Sequence, residues 1–178
     1  MKIAADTSSL LSLEFMGILD DALSIAEIYI TGTVEEELRE IAGYDDEKSS
    51  MADRILQLVQ DGKIRCLQVK PESFMKYLSG KVDAGEASCL ALCIMEKIPL
   101  LITDDADAAY YLGRAGMQNG IKIRICVAVL IELIKTGAIS KSNAREKLEE
   151  LIKKRGWEGG VLEVLIKKYL EDNILHSP

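Results

Sequence analysis

Short apolar runs alternate along the chain with stretches of helical periodicity, the pattern of a parallel sheet whose strands are joined by helices. Ile3-Ala4-Ala5 reads as a buried strand, followed by a helix carrying Leu10, Leu11 and Phe15. Residues 27–31 (Glu-Ile-Tyr-Ile-Thr) predict a second strand, 64–69 a third, 99–103 a central one and 121–125 a last. Helices are expected from Thr33 through Ala42 and around Met51, Ile55, Leu58 and Val59, the latter ended by Asp61-Gly62. A short helix should run from Pro71 to about Leu78, and longer ones from Asp83 through Met95, Asp105 to Ala115, and Val127 to Lys135. The helix opened by Asp83 is apolar on nearly all sides and must therefore be buried. Gly137 breaks the periodicity. Two further helices, Ser142–Lys154 and Val161–Leu170, are separated by Gly156 and by Gly159-Gly160. No linker or repeat divides the chain, so residues 1–135 are read as an α/β domain and 136–178 as a helical extension of it.

Composition narrows the possible functions. The chain has 178 residues, 48% hydrophobic and 29% charged, which is ordinary for a globular protein and enough to bury a core without disulfides. With 22 Lys and Arg against 29 Asp and Glu, the net charge is −7, which excludes a protein that coats duplex DNA through general electrostatics. Aromatics, at 5%, are too sparse for a surface built on base stacking. The cysteines Cys66, Cys89, Cys93 and Cys126 contain no C-x-x-C pair, so zinc-ribbon and thioredoxin-type motifs lack their ligands. Cys89 and Cys93 could share a soft metal but read more simply as small buried side chains. One histidine, His176, sits at the chain's end, which argues against Ser-His-Asp and Cys-His catalysis. The opening turns polar at Asp6 and no apolar run could cross a bilayer, so a cytoplasmic protein without a membrane partner is expected.

Candidate chemistry lies in acids near strand ends. Asp6 follows the first strand, and Asp104 and Asp105 follow the strand over 99–103. In open parallel sheets, ligands bind at the carboxyl ends of the strands, and acids on neighbouring strands would point into one volume. Each could also be an N-cap for the next helix. In the helix from Thr33, the stripe Val34, Leu38 and Ile41 places Glu37 at its edge and Glu36 nearly opposite. Thr33 and Glu36 have capping-box spacing, which accounts for Glu36 structurally. Asp83 and Glu86 have the same spacing, yet Glu86 shares a face with Leu90 and Cys93, and Gly85 beside it would permit close approach.

In this order, Ala5-Asp6-Thr7-Ser8, Val34-x-x-Glu37-Leu38, Asp83-x-Gly85-Glu86-Ala87 and Leu101-Ile102-Thr103-Asp104-Asp105 resemble the four acidic motifs of PIN domains. The resemblance covers about residues 1–135 and extends less specifically into the tail. It implies a Rossmann-like fold, a central parallel sheet with helices on both faces, and metal-dependent cleavage of single-stranded RNA, often as the toxin of a toxin–antitoxin pair. By this carry-over Asp6, Glu37, Glu86 and Asp105 are the catalytic acids. Asp6, Glu86, Asp104 and Asp105 are the candidate metal ligands, and Ser8 and Thr103 supply supporting hydroxyls. The consecutive aspartates leave open whether Asp104 or Asp105 is the main ligand. Carboxylates without histidine or thiolate form a hard oxygen site suited to Mg²⁺ or Mn²⁺. An interaction module with little activity, bound to an antitoxin or other protein, is the alternative. A homodimer is expected from the apolar surplus of Val161, Leu162, Val164, Leu165, Ile166 and Leu170.

Overall fold

A computed structural model describes residues 1–170, with side chains through 168; His176 and the end of the predicted extension lie outside the described residues, as does the side chain of Leu170. The chain runs β1 (Lys2–Ala5), α1 (Thr7–Phe15), α2 (Leu19–Ile25), β2 (Glu27–Thr31), α3 (Gly32–Ala42), α4 (Glu47–Gln60) and β3 (Ile64–Leu67). It continues through α5 (Ala84–Glu96), β4 (Leu100–Ile102), α6 (Ala106–Met117), β5 (Lys122–Arg124), α7 (Val127–Lys135), α8 (Lys141–Arg155) and α9 (Val161–Leu170). All strand pairs are parallel, in the order β3-β2-β1-β4-β5. Ile3, Ala4 and Ala5 are all buried, as are Ile28, Tyr29, Ile30 and Thr31. Successive side chains on a strand point to opposite faces, so such runs require cover on both. The expected α/β architecture with helices on both faces is the one observed.

The topology creates the crevice. From β1 the chain builds β2 and β3 on one side, then returns to build β4 and β5 on the other. The reversal falls between β1 and β4, where Ala4 pairs with Leu101 and Ala5 with Ile102. Asp6 follows directly, its N–H donating to the Ile102 carbonyl at 3.3 Å. Helix α5 is buried continuously from Gly85 to Cys93 and packs across β1, β2 and β4, as its all-round apolar sequence requires.

Several local expectations change. The seven-residue helix α2 falls in a stretch given no element from periodicity; its Ile18 N-cap makes no side-chain hydrogen bond, so it lacks the polar cap that marks a helix start. Helix α3 begins at Gly32, and Thr31, not Thr33, caps it by accepting from the Val34 N–H at 3.2 Å. The Thr33–Glu36 capping box therefore does not form. The segment after Pro71 is two short 3-10 turns, Pro71–Ser73 and Met75–Tyr77, rather than one helix.

Helices α8 and α9 pack against α7, and Lys147 Nζ ties α8 to the end of α1 through the Met16 carbonyl at 2.6 Å. Gly156 stops α8 in the left-handed region (φ +64°), a conformation that favours glycine. Helix α9 buries Leu162 and Ile166 and leaves Val161, Val164 and Leu165 exposed. Cys89, Cys93 and Cys126 are buried and free, and Cys66 is partly buried. Among the described residues, no helix is long and apolar enough to cross a membrane.

Candidate functional site

The site is assembled from helix N-termini gathered at the carboxyl end of the sheet. Asp6 leaves β1 in extended conformation and caps α1, its Oδ1 accepting from the Ser9 N–H at 2.8 Å. Its other oxygen accepts from the Ser8 hydroxyl at 2.9 Å, and the same hydroxyl accepts from the Asp104 N–H at 3.2 Å. Ser8 thus joins the ends of β1 and β4. Asp83 and Glu86 form a full capping box on α5: Asp83 Oδ1 accepts from Glu86 N–H at 2.8 Å, and Glu86 Oε2 accepts from Asp83 N–H at 3.1 Å. Asp105 caps α6 through the Ala108 N–H at 2.8 Å, while the Thr103 hydroxyl accepts from the Asp105 N–H at 3.2 Å.

Glu37 arrives from α3. Its carboxylate accepts from the Thr7 hydroxyl and lies against the backbone of Gly85, where any Cβ would overlap it. This contact brings the second and third acidic motifs together and explains the glycine: a side chain there would displace Glu37. Glu36 is exposed and Glu37 half-buried, as helix phase predicts.

The two aspartates after β4 occupy different places. Asp104 is buried, with Oδ1 accepting from the Cys126 N–H at 2.8 Å and Oδ2 making no hydrogen bond among the described residues. An unsatisfied buried carboxylate oxygen is costly and marks a position suited to a cation. Asp105 is exposed at the rim. Asp107 turns away and pairs with Lys81 at 3.5 Å.

These acids share one field. Burial pushes Asp6 up to about 6 against the hydrogen bonds of Ser9 and Thr103, and the charge of Asp104 adds to the rise. Burial, together with the charges of Asp83, Asp6 and Asp105, pushes Glu86 up to about 8, although its capping bond to Asp83 N–H opposes this. Glu37 is raised by burial and by Asp83, Asp6 and Glu40, with the Thr7 hydrogen bond opposing. No described ion pair involves Asp6, Glu37, Glu86, Asp104 or Asp105.

Each carboxylate has at least one oxygen committed to a hydrogen bond, and among the described residues no three acidic, histidine or cysteine side chains converge into a finished ligand set. The donors nonetheless suit a hard divalent cation: they are oxygens, they repel one another, and Asp104 Oδ2 is unsatisfied. The structure brings Asp6, Glu37, Glu86, Asp104 and Asp105 to one end of the sheet, with Ser8 and Thr103 bonded between them. Three contributors escaped the sequence reading. Thr7 stands inside the first acidic motif, and its partner Glu37 lies thirty residues away in sequence. Asp83 adds charge as well as a cap. The Cys126 N–H meets Asp104 only in the folded chain, so no local signal could reveal it.

The family model DUF3368, described as a PIN domain, matches residues 2–169. No curated protein matches the chain.

Proposed function

Because this chain belongs to the PIN-domain family, whose members are generally nucleases that use divalent metal ions, we propose that it is a metal-dependent endoribonuclease acting on single-stranded RNA. The observation that carries the reading is the group of acids at the β1–β4 crevice, without cationic partners among the described residues, in which Asp6, Glu37 and Glu86 are raised by burial and by neighbouring acids. A structural ion-pair network would contain both signs of charge. Only acids are gathered here, and acids alone repel a phosphodiester.

Asp6, Glu86, Asp104 and Asp105 are the residues assigned to hold Mg²⁺ or Mn²⁺. The chemistry supplied by such an ion is activation of water and stabilisation of charge on the phosphate. The protein's own part is positioning. Ser8 fixes one oxygen of Asp6 and the backbone before Asp105, so the ends of β1 and β4 keep a constant spacing. Thr7 orients Glu37, leaving that acid over Gly85, where it can accept a proton from water. Thr103 holds the Asp105 backbone at the mouth of the crevice.

The test is cleavage of a single-stranded RNA with Mg²⁺ or Mn²⁺ by wild type and by Asp6→Asn, an exchange that keeps the cap acceptor. Loss of about a hundredfold or more is expected, since even residues supporting a metal ligand cost 10–100-fold when removed. Equal cleavage by both proteins, or cleavage that persists in chelator, overturns the reading. An absence of cleavage by wild type favours the interaction module instead.

A further inference from the structure

Away from the acids, the C-terminal half of α1 forms one wall of a cleft of about 230 Å³ with α4 and the end of α8. Its lining includes Ser12, Phe15, Lys48, Lys154, Arg155 and Trp157. The chain is poor in aromatics, yet its single tryptophan and one of its two phenylalanines meet here. Lys154 lies 5.8 Å from the centre of the Phe15 ring, and Arg155 lies 5.5 Å from that of Trp157. Lys154 also pairs with Glu47, whereas Lys48 and Arg155 have no ion pair among the described residues. The cleft is therefore cationic in a chain of net charge −7.

The position of the cleft connects it to the acids. Ser12 donates to the Ser8 carbonyl at 3.1 Å, so the cleft wall begins one helical turn, about 5.4 Å, below the residue that binds Asp6 and Asp104. The crevice and the cleft therefore lie at successive turns of one helix.

We propose that the cleft holds one nucleotide of a single-stranded RNA next to the phosphodiester at the acids, with the base against the Trp157 and Phe15 rings and a phosphate on Lys48 and Arg155; the assignment rests on the ribonuclease reading above. Aromatic faces accept any base, and cations track the backbone, so the cleft supplies grip without sequence preference. The guanidinium of Arg155 suits either a phosphate or a base plane. A volume of about 230 Å³ is enough for one base and its sugar.

Because Trp157 is the chain's single tryptophan, its fluorescence reports on the cleft alone. Asp6→Asn protein in chelator is titrated with a short single-stranded RNA and, separately, with AMP. Both should quench saturably, the RNA at a concentration at least about tenfold lower, in line with the strength of base–aromatic stacking and backbone contacts. Adding Lys48→Ala, at an exposed position where folding is not at stake, should raise the RNA concentration required about fivefold. It should also lower the salt slope by about 0.7, as loss of one phosphate contact requires. No quenching by RNA, unchanged binding in Lys48→Ala, or AMP binding as tightly as RNA overturns the proposal. Wild type that cleaves RNA with Mn²⁺ while Trp157 stays silent defeats the cleft assignment alone. Quenching without cleavage by wild type upholds the cleft and defeats the nuclease reading.

Discussion

The two ends of α1 differ in how their charges are accommodated. At the N-terminal end, Asp6, Glu37, Glu86 and Asp104 lie buried or half-buried, held by hydroxyls and backbone N–H groups and by no described cation. Further along, Lys48 and Lys154 stand exposed, and Lys154 has both a carboxylate and a ring as partners. Exposed pairs of that kind contribute only about 0–1 kcal/mol and cost almost nothing to keep. Buried acids of one sign are a standing penalty on the metal-free fold. That imbalance, rather than the presence of acids as such, distinguishes the crevice end of the helix from its cleft end.

Two adjacent glutamates on α3 differ most sharply in what they should contribute. Glu37→Gln should reduce cleavage by about a hundredfold or more, because it removes the charge placed over Gly85, while Glu36→Gln should stay within about twofold of wild type. The melting temperature in chelator should not fall for Glu37→Gln, since repulsion with Asp6 and Asp83 is relieved. Glu36→Gln, an exposed change, should move stability by no more than about 0.5 kcal/mol. Wild-type cleavage by both variants would mean that Glu37 is not one of the working acids.

Gly85→Ala should have the next largest effect. Its Cβ overlaps the Glu37 carboxylate, so the acid must move. Cleavage should fall about tenfold or more, the scale on which small displacements of catalytic groups act. Global stability should change little, because alanine favours the α5 helix by up to about 1 kcal/mol and offsets part of the clash. Comparing cleavage with the thermal midpoint separates displacement from unfolding.

The smallest expected effect is the pH dependence of the metal-free protein. Asp6 and Glu86 carry folded-state values of about 6 and about 8, above ordinary carboxylates. Their contribution to stability is therefore fully present below about pH 4 and is lost as pH rises through those values. In chelator, the melting temperature of wild type should fall between pH 5 and pH 8 relative to Asp6→Asn. Mn²⁺ should restore it more at pH 8 than at pH 5, because binding competes with protons. Parallel profiles for the two proteins would show that Asp6 does not bear the burial penalty.

The sheet and its acids were legible for the same physical reason. A parallel strand covered on both faces is a continuous apolar run, and the polar residue that ends it marks the crevice. Ile3-Ala4-Ala5 before Asp6 and Leu100-Leu101-Ile102 before Thr103-Asp104 both have this form. Glu37 was legible through helix phase alone. Helix α2 was not, being short and without a side-chain cap, and Thr31 took the capping role that spacing assigned to Thr33. The cationic cleft was also hidden. Phe15 and Lys48 meet Lys154, Arg155 and Trp157 only because the end of α8 comes to lie beside α1 and α4, and nothing local to any of these segments carries that information.

The way the acids are fastened has a consequence for reading relatives of this chain. Asp6 begins α1, Asp83 and Glu86 together begin α5, and Asp105 begins α6. Replacing a cap of this type by alanine costs about 0.5–2 kcal/mol before any chemistry is considered. A relative without the proposed nuclease activity would still be under pressure to keep these residues, because three helices start on them. Retention of the acids in a lineage therefore measures demand on the scaffold as much as on the reaction. The position that discriminates is Gly85, which caps nothing and is required to stay bare by the carboxylate above it.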